Sequence, residues 1–282
     1  MFLFCKGRNL QKNKLVKTLF NTEPVREIGS EHALLLEAGN DFCCYVYWHK
    51  ADNKIDGLKY LSFDETETER RLLEIINELQ NKRVGNAVVC AAFSQALLVP
   101  NKFFKQDYSM LDAVYSQAGQ TYFHDAIPEW QLVNAYSVPA GFNQAVQSAF
   151  TSVQFLHAYT PTIKIYNGYI ADNQLLVHFT TQHFRVLLKK DSAVHLAQTY
   201  AYKTPLDVVY YLLKVCYEFG MAQQNVYLIL SGLIEKDSNL VTELQQYFIN
   251  LHFANPPEIS LSDDTYPHHF FTSLFNLAAC VS

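Results

Sequence analysis

"LLLEAGNDFCCYVY" (34–47) and "LVHFTTQHFRVLLK" (176–189) are two apolar runs, each interrupted once by a short polar stretch. Both read as strand, tight turn, strand. Gly39-Asn40-Asp41 supplies the first turn, because Gly and Asn reach positive φ at low cost. Thr180-Thr181-Gln182 supplies the second. The flanking runs are rich in the aromatic and branched residues that suit a pleated surface. Laid against each other, the hairpins pair Phe42 with Phe184 at an offset of 142. Further on, "NAVVCAAF" (86–93) and "NVYLILSG" (225–232) are continuous apolar runs, the pattern of strands covered on both faces. They pair Asn86 with Asn225 at an offset of 139. An amphipathic helix fits between hairpin and buried strand in each half. One spans about 66–81, with Leu72, Leu73, Ile75, Ile76 and Leu79 at helical spacing. The other spans about 205–219, opening at Pro205. Offsets so close, with the same element order, predict an internal duplication.

The rest of the chain fits around these units. "LKYLSF" (58–63) alternates like a third strand, and "ALLVP" (96–100) is a shorter strand stopped by its proline. Thr66 and Glu69 have capping-box spacing. A helix near 107–118, a strand at 131–138 and a helix opening at Pro139 follow. Helices near 237–250 and 267–281 complete the second half. Residues 1–30 show little periodicity and read as an N-terminal extension with room for one short helix. The expected division is then 31–150 and 151–282. Hairpin, third strand, helix, buried strand and helix make a mixed sheet with helices on its faces. Two such units leave a cleft between them, a preferred place for ligands.

Composition narrows the function. Of 282 residues, 49% are hydrophobic and 17% charged, a globular balance. The net charge of −5 argues against a general nucleic-acid binder, which needs a basic face. The 6 cysteines include no Cys-x-x-Cys, and Cys43, Cys44, Cys90 and Cys216 lie in apolar runs. They read as reduced thiols of a cytoplasmic protein. "MFLFCKG" (1–7) is too quickly charged for a signal peptide, and no apolar run reaches the about 18 residues of a membrane span. The 10 histidines offer no His-Glu-x-x-His or Cys/His spacing, so no metal site is expected. Asp263-Asp264 reads as a solvated loop with helix-start chemistry. Neither a Walker loop nor a Gly-x-Ser-x-Gly elbow occurs.

The element order resembles the actin-like ATPase fold, in which two ribonuclease-H-like domains face each other across a nucleotide cleft. From about residue 30 onward the chain looks like a bacterial family of unknown function with that fold. The superfamily also includes actin, the seventy-kilodalton heat-shock chaperones, sugar kinases and type IV pilus scaffold proteins. Its first phosphate loop is Asp-x-Gly between two strands. The resemblance puts Glu37-Ala38-Gly39-Asn40 there, with the carboxylate one methylene longer, which a tight magnesium shell tolerates poorly. The second Asp-x-Gly falls on Val177-His178-Phe179-Thr180-Thr181-Gln182, which has neither Asp nor Gly. His178 or Phe179 stands in place of the carboxylate, and Thr180 offers only a hydroxyl. The adenosine motif, a strand ending in small residues, falls on Ser231-Gly232. The connecting helix falls on Thr160-Pro161-Thr162, without the alanines usual there.

The resemblance therefore implies a candidate nucleotide cleft of Glu37, Gly39, Asn40, Thr180, Ser231 and Gly232, with ATP and magnesium as the cofactors it would take. One loop is partly kept and one is lost. Phosphoryl transfer depends on positioning and charge stabilisation, so that loss should weaken it severely. The leading expectation is a non-catalytic protein with weak or no nucleotide binding, acting on an unidentified protein partner, with no nucleic-acid binding and no membrane span. The alternatives are an ATP/magnesium-dependent ATPase or small-molecule kinase, with Glu37 organising the metal, and a metabolite-binding protein using the same cleft.

Overall fold

The computed structural model describes residues 16–82, 84–115, 117–165, 171–255, 257–262 and 265–282. Asp263 and Asp264 lie outside the described residues. The first sheet is built from β1 (Lys17–Thr22), β2 (His32–Ala38), β3 (Phe42–His49) and β4 (Lys54–Ser62). Helix α1 (Thr68–Leu79) crosses to β5 (Asn86–Ala91). An insertion follows: β6 (Ala96–Pro100), α2 (Ser109–Tyr115), β7 (Gln120–Ile127) and β8 (Leu132–Pro139). Then come α3 (Ala140–Ala149), β9 (Val153–His157) and α4 (Tyr159–Ile165). The second half comprises β10 (Asn173–Phe179), β11 (His183–Lys190), β12 (Ala193–Ala201), α5 (Pro205–Glu218) and β13 (Tyr227–Gly232). It ends with α6 (Asn239–Gln245), β14 (Asn250–Phe253), β15 (Ser260–Leu261) and α7 (Thr272–Cys280).

The first sheet runs β1-β4-β3-β2-β5-β9, with β15 also on β4. The second runs β12-β11-β10-β13-β14. In both, the first two pairings of the repeat are antiparallel and the next two parallel. The insertion forms a separate antiparallel sheet, β6-β8-β7. Strand β9, beyond residue 150, pairs with β5 in the first sheet. Strand β1, from the N-terminal stretch, forms its edge on β4.

Three strand pairs share one spacing, whereas the third strands β4 and β12 begin 139 residues apart and helices α1 and α5 137. Strands β2 and β10 begin at 32 and 173, β3 and β11 at 42 and 183, and β5 and β13 at 86 and 227, in each case 141 apart. The sequence offsets of 142 and 139 therefore each miss the register. Phe184 corresponds to Cys43, and Phe42 to His183. A slip of one residue exchanges the two faces of a strand, so the correction matters: Glu37 corresponds to His178, the last inward position before Ala38 and Phe179.

Several local readings also change. The helix expected near 237–250 ends at Gln245, because the chain turns into β14. The final helix begins as a single 3-10 turn at His268–Phe271. Strands β7 and β12 had no counterpart in the sequence reading. Asp64, rather than the Thr66–Glu69 pair, caps the turn before α1, accepting from the Thr66 amide at 3.1 Å. Helix α5 does carry a capping box, Thr204 with Asp207.

Helices α1 and α3 cover one face of the first sheet through Leu72, Ile76, Phe142 and Val146. Helices α5 and α6 cover the outer face of the second through Val208, Leu212, Val241 and Leu244. Between the sheets lie α4 and α7, packed on each other. Seven consecutive residues of α7, Thr272–Ala278, are buried, so this helix is enclosed on every side. Its Leu274, Phe275 and Leu277 join the first-sheet core, each burial worth about 1.5–3 kcal/mol.

Candidate functional site

The β2–β3 and β10–β11 turns face each other across the junction of the halves. Each is closed by one backbone bond: the Gly39 amide to the Phe42 carbonyl at 3.0 Å, and the Thr180 amide to the His183 carbonyl at 2.8 Å. A Cβ on Gly39 would lie 2.5 Å from the Phe42 ring, which stacks on Tyr60. The glycine thus makes room for an aromatic ring over its own turn. The Asn40 carbonyl accepts from the Thr68 hydroxyl. Thr180 is buried and its hydroxyl donates to the His183 carbonyl at 3.1 Å.

Between the turns lies a charge pair that the sequence reading did not foresee. Glu37 Oε1 accepts from Arg185 Nη1 at 2.6 Å, and Arg185 Nη2 reaches Ser273 Oγ of α7 at 3.4 Å. Glu37 is 3% exposed and Arg185 7%. Burial works most strongly against the Arg185 charge, but the adjoining Glu37 carboxylate and smaller contributions from neighbouring groups together leave the guanidinium more basic than usual. Opposite Arg185 in the β10–β11 ladder stands His178, whose Nδ1 meets Ser231 Oγ at 3.0 Å. Burial first, then Arg185, holds this imidazole well below its ordinary pKa, so it is neutral. One cavity of about 30 Å³ remains, bordered by Arg185, His178, Ser231, Tyr159, Ser273 and Asn276. A second, of about 10 Å³, is bordered by Asn40, Asp41, Thr180, His183, Arg185 and Thr199. The first has room for a water and the second barely so, whereas ligand pockets run to hundreds of cubic ångströms.

A second link joins the halves at the rim. The Thr181 hydroxyl donates to Asp41. His183 places Nδ1 3.6 Å from Asp41 Oδ1 and Nε2 3.3 Å from Glu65 Oε1. Its hydrogen bond to Asp41 raises the His183 pKa, and the Asp41 and Glu65 charges add to it against the opposing effect of burial. Ligand atoms of Asp41, Glu65 and His183 lie within 4.8 Å of one another. Each imidazole nitrogen faces its own carboxylate, which makes the arrangement an ion triad. Deeper in the junction, Tyr159 Oη and Thr199 Oγ1 are 2.8 Å apart.

Gly232 has φ +78°, and a Cβ there would sit 2.1 Å from the Phe179 carbonyl oxygen. Its lack of a side chain is required by the neighbouring strand. Of the six residues assigned from sequence, Asn40 and Thr180 share the smaller cavity, and Ser231 borders the larger. Glu37 meets both through Arg185, while Gly39 and Gly232 are accounted for by packing. Arg185, Asp41 and His183 were missed as site residues. The available signal was Arg185 itself, a charge inside the otherwise apolar run of β11. A separate, open groove of about 850 Å³ lies at the carboxyl ends of β13 and β14, between Phe20, Lys236, Phe253, Tyr266, His268 and Phe270.

Residues 27–251 match the family described as "Protein of unknown function (DUF3822)", and the chain belongs to that family. No protein of curated function matches it in sequence. Among solved structures it is similar to a Bacteroides thetaiotaomicron protein with actin-like ATPase fold and unknown function. The TM-score is 0.75 at 12% identity, over 89% of this chain and 97% of that one. It is also similar to a chain of the PilM–PilN type IV pilus biogenesis complex, with TM-score 0.57 at 14% identity, over 88% of this chain and 98% of that one. These likenesses establish the actin-like ATPase fold. Among the described residues no helix is long and apolar enough to cross a membrane.

Proposed function

We propose that this DUF3822 member is a non-catalytic protein of the actin-like fold, acting through protein contact, with weak or no nucleotide binding. The observation that carries this reading is the Glu37–Arg185 pair. It occupies one of the two positions from which an ATPase of this fold would direct carboxylates at magnesium, and Arg185 stands opposite the other, His178, in the β10–β11 ladder. Glu37 is committed to a guanidinium, and its counterpart His178 is a neutral imidazole bonded to Ser231. Magnesium needs a near-octahedral oxygen shell and retains several waters. The donors present do not fit it, and the cavities left beside Arg185 do not admit a triphosphate. The common 141-residue spacing supports descent of both halves from one duplicated unit. The division into an N-terminal extension, a first domain and a second belongs to the same proposal. So does a bacterial, cytoplasmic setting.

Protein contact is supported by apolar side chains left outside, with Leu206, Tyr210, Tyr217 and Ile249 all exposed. Such side chains are normal singly but informative in groups. A chain of like fold occurs in the PilM–PilN complex, which makes a partner-binding role reasonable by analogy.

The test is calorimetric titration with ATP and magnesium up to millimolar nucleotide. No heat from the folded protein is the expected result. Micromolar binding that persists in Arg185→Lys would sink the reading. A second reading, metabolite binding, is favoured by the open groove beyond Ser231-Gly232, whose size and aromatic walls suit a nucleotide-sized ligand. Binding abolished by Lys236→Glu, with Arg185 variants unaffected, would select it.

A further inference from the structure

Helix α5 has two apolar faces. Val208, Val209, Leu212, Val215 and Cys216 point into the second-half core. Leu206, Tyr210 and Tyr217 lie on the other side at 61%, 59% and 84% exposure, with Leu213 half-buried between them. Leu213 also touches that core and the Tyr210 ring meets Tyr211 edge-on, yet Leu206, Tyr210 and Tyr217 keep most of their surface outside. Its residues are spaced four, three and four apart, the repeat of a helix–helix seam. The spacing is also the same read in either direction. Turned end for end about the point between Tyr211 and Leu212, Leu206 exchanges with Tyr217 and Tyr210 with Leu213.

We propose that α5 is a self-association surface, where two copies of this chain pair their α5 helices antiparallel about a twofold axis. The seam would set Leu206 against Tyr217 of the partner subunit, and Tyr210 against Leu213 of the partner subunit. Charge selects both the occupant and the direction. Asp207, whose Oδ2 accepts from the Lys203 and Thr204 amides while Oδ1 remains, and Lys214 stand seven residues apart on one flank of the stripe, so antiparallel pairing brings Asp207 Oδ1 near Lys214 of the partner subunit, twice. Parallel pairing would put Asp207 and Lys214 on the opposite flank from their copies, so this opposite-charge pair would not form. An isologous contact needs a self-complementary patch, and this stripe with its flanking charges is one. A single helix of 14 residues offers less area than a standard interface, so association in the micromolar range is expected. The inference supplies a partner for the protein-contact reading, while the nucleotide titration stands or falls without it.

The experiment is sedimentation velocity of the full chain across the micromolar range, with circular dichroism to confirm folding. Wild type should move from monomer to dimer as concentration rises. Tyr210→Glu, at an exposed position, should stay monomeric with an unchanged melt. Lys214→Glu should weaken association by about tenfold by placing two acids together. Direction is read by oxidative cross-linking against an unsubstituted control. Leu206→Cys combined with Tyr217→Cys should give a covalent dimer, and neither single change should. A chain monomeric at every concentration, or a dimer indifferent to Tyr210→Glu, overturns the proposal and leaves the stripe to a different protein. Cross-linking of the single variants overturns the antiparallel arrangement.

Discussion

Glu37→Ala is the sharpest test of the closed cleft. The substitution leaves the Arg185 guanidinium 7% exposed, with only a 3.4 Å contact to Ser273 from its second nitrogen. Removing one partner of a buried ion pair costs about 3–5 kcal/mol, because the remaining charge is neither solvated nor matched. Replacing both partners with apolar groups of similar volume removes the desolvation penalty as well. Glu37→Met with Arg185→Met should therefore be near neutral, or stabilising by about 1–4 kcal/mol. Urea unfolding followed by circular dichroism measures both, with an unchanged m-value confirming that the same surface is exposed. The single variant should unfold at much lower urea, and the double variant should recover most of the loss. Exposed ion pairs contribute only about 0–1 kcal/mol. If Glu37→Ala costs no more than that, Arg185 reaches water, the cleft is open, and the case against a nucleotide fails with it.

Three further outcomes are expected. His183 has a raised folded pKa, so its contribution is fully present below the unfolded value of about 6.5 and lost as pH rises through the folded value. His183→Gln should flatten that part of the melting-temperature profile, and an unchanged slope would remove the triad from the account. Asp125, buried on β7 with the Thr160 hydroxyl at 2.6 Å and the His157 amide at 2.8 Å, has its pKa pushed up to about 6, chiefly by burial. Its favourable contribution is complete below about 3.9 and disappears as pH rises through about 6, so wild type should lose up to about 3 kcal/mol relative to Asp125→Asn. Urea midpoints on either side of that pH, differing equally, would contradict it. Finally, Gly232→Ala should destabilise by well over the about 1–3 kcal/mol of a left-handed non-glycine residue, because its Cβ also strikes Phe179. Gly220→Ala, at φ +62° with open space around it, should cost only that backbone strain. Similar thermal melts for the two variants would refute the packing account of Gly232.

Topology was legible because apolar runs of strand length alternate with helical stripes, and because hairpin turns carry their own chemistry. Register was not. The sequence reading anchored on Phe42 and Phe184, yet the ladders pair Ala38 with Cys43 and Phe179 with Phe184. Two phenylalanines beside turns resemble each other without being equivalent. Strand β12 is half-buried along most of its length and has little alternation to recognise. Strand β14 has only four residues and lies a short turn after a helix, so its apolar positions read as more helix. In the site, the retained carboxylate of Glu37 was visible, but its partner lies 148 residues away, a distance only folding closes. Gly232 was visible too. A glycine that admits a ligand and one that admits a neighbouring backbone look alike in a sequence.

Helix α7 has a consequence for how the protein is made. Phe270, Phe271, Leu274 and Phe275 belong to the core of the first sheet, although its strands β2 and β3 were synthesised more than 200 residues earlier. During translation that face of the sheet must wait, with Leu35, Val46, Trp48 and Val88 exposed, until residues 270–278 have left the ribosome. The first half is therefore a poor candidate for independent folding on the nascent chain. The intermediate has an unfinished apolar face, the kind of surface that chaperones hold and that aggregates when they do not.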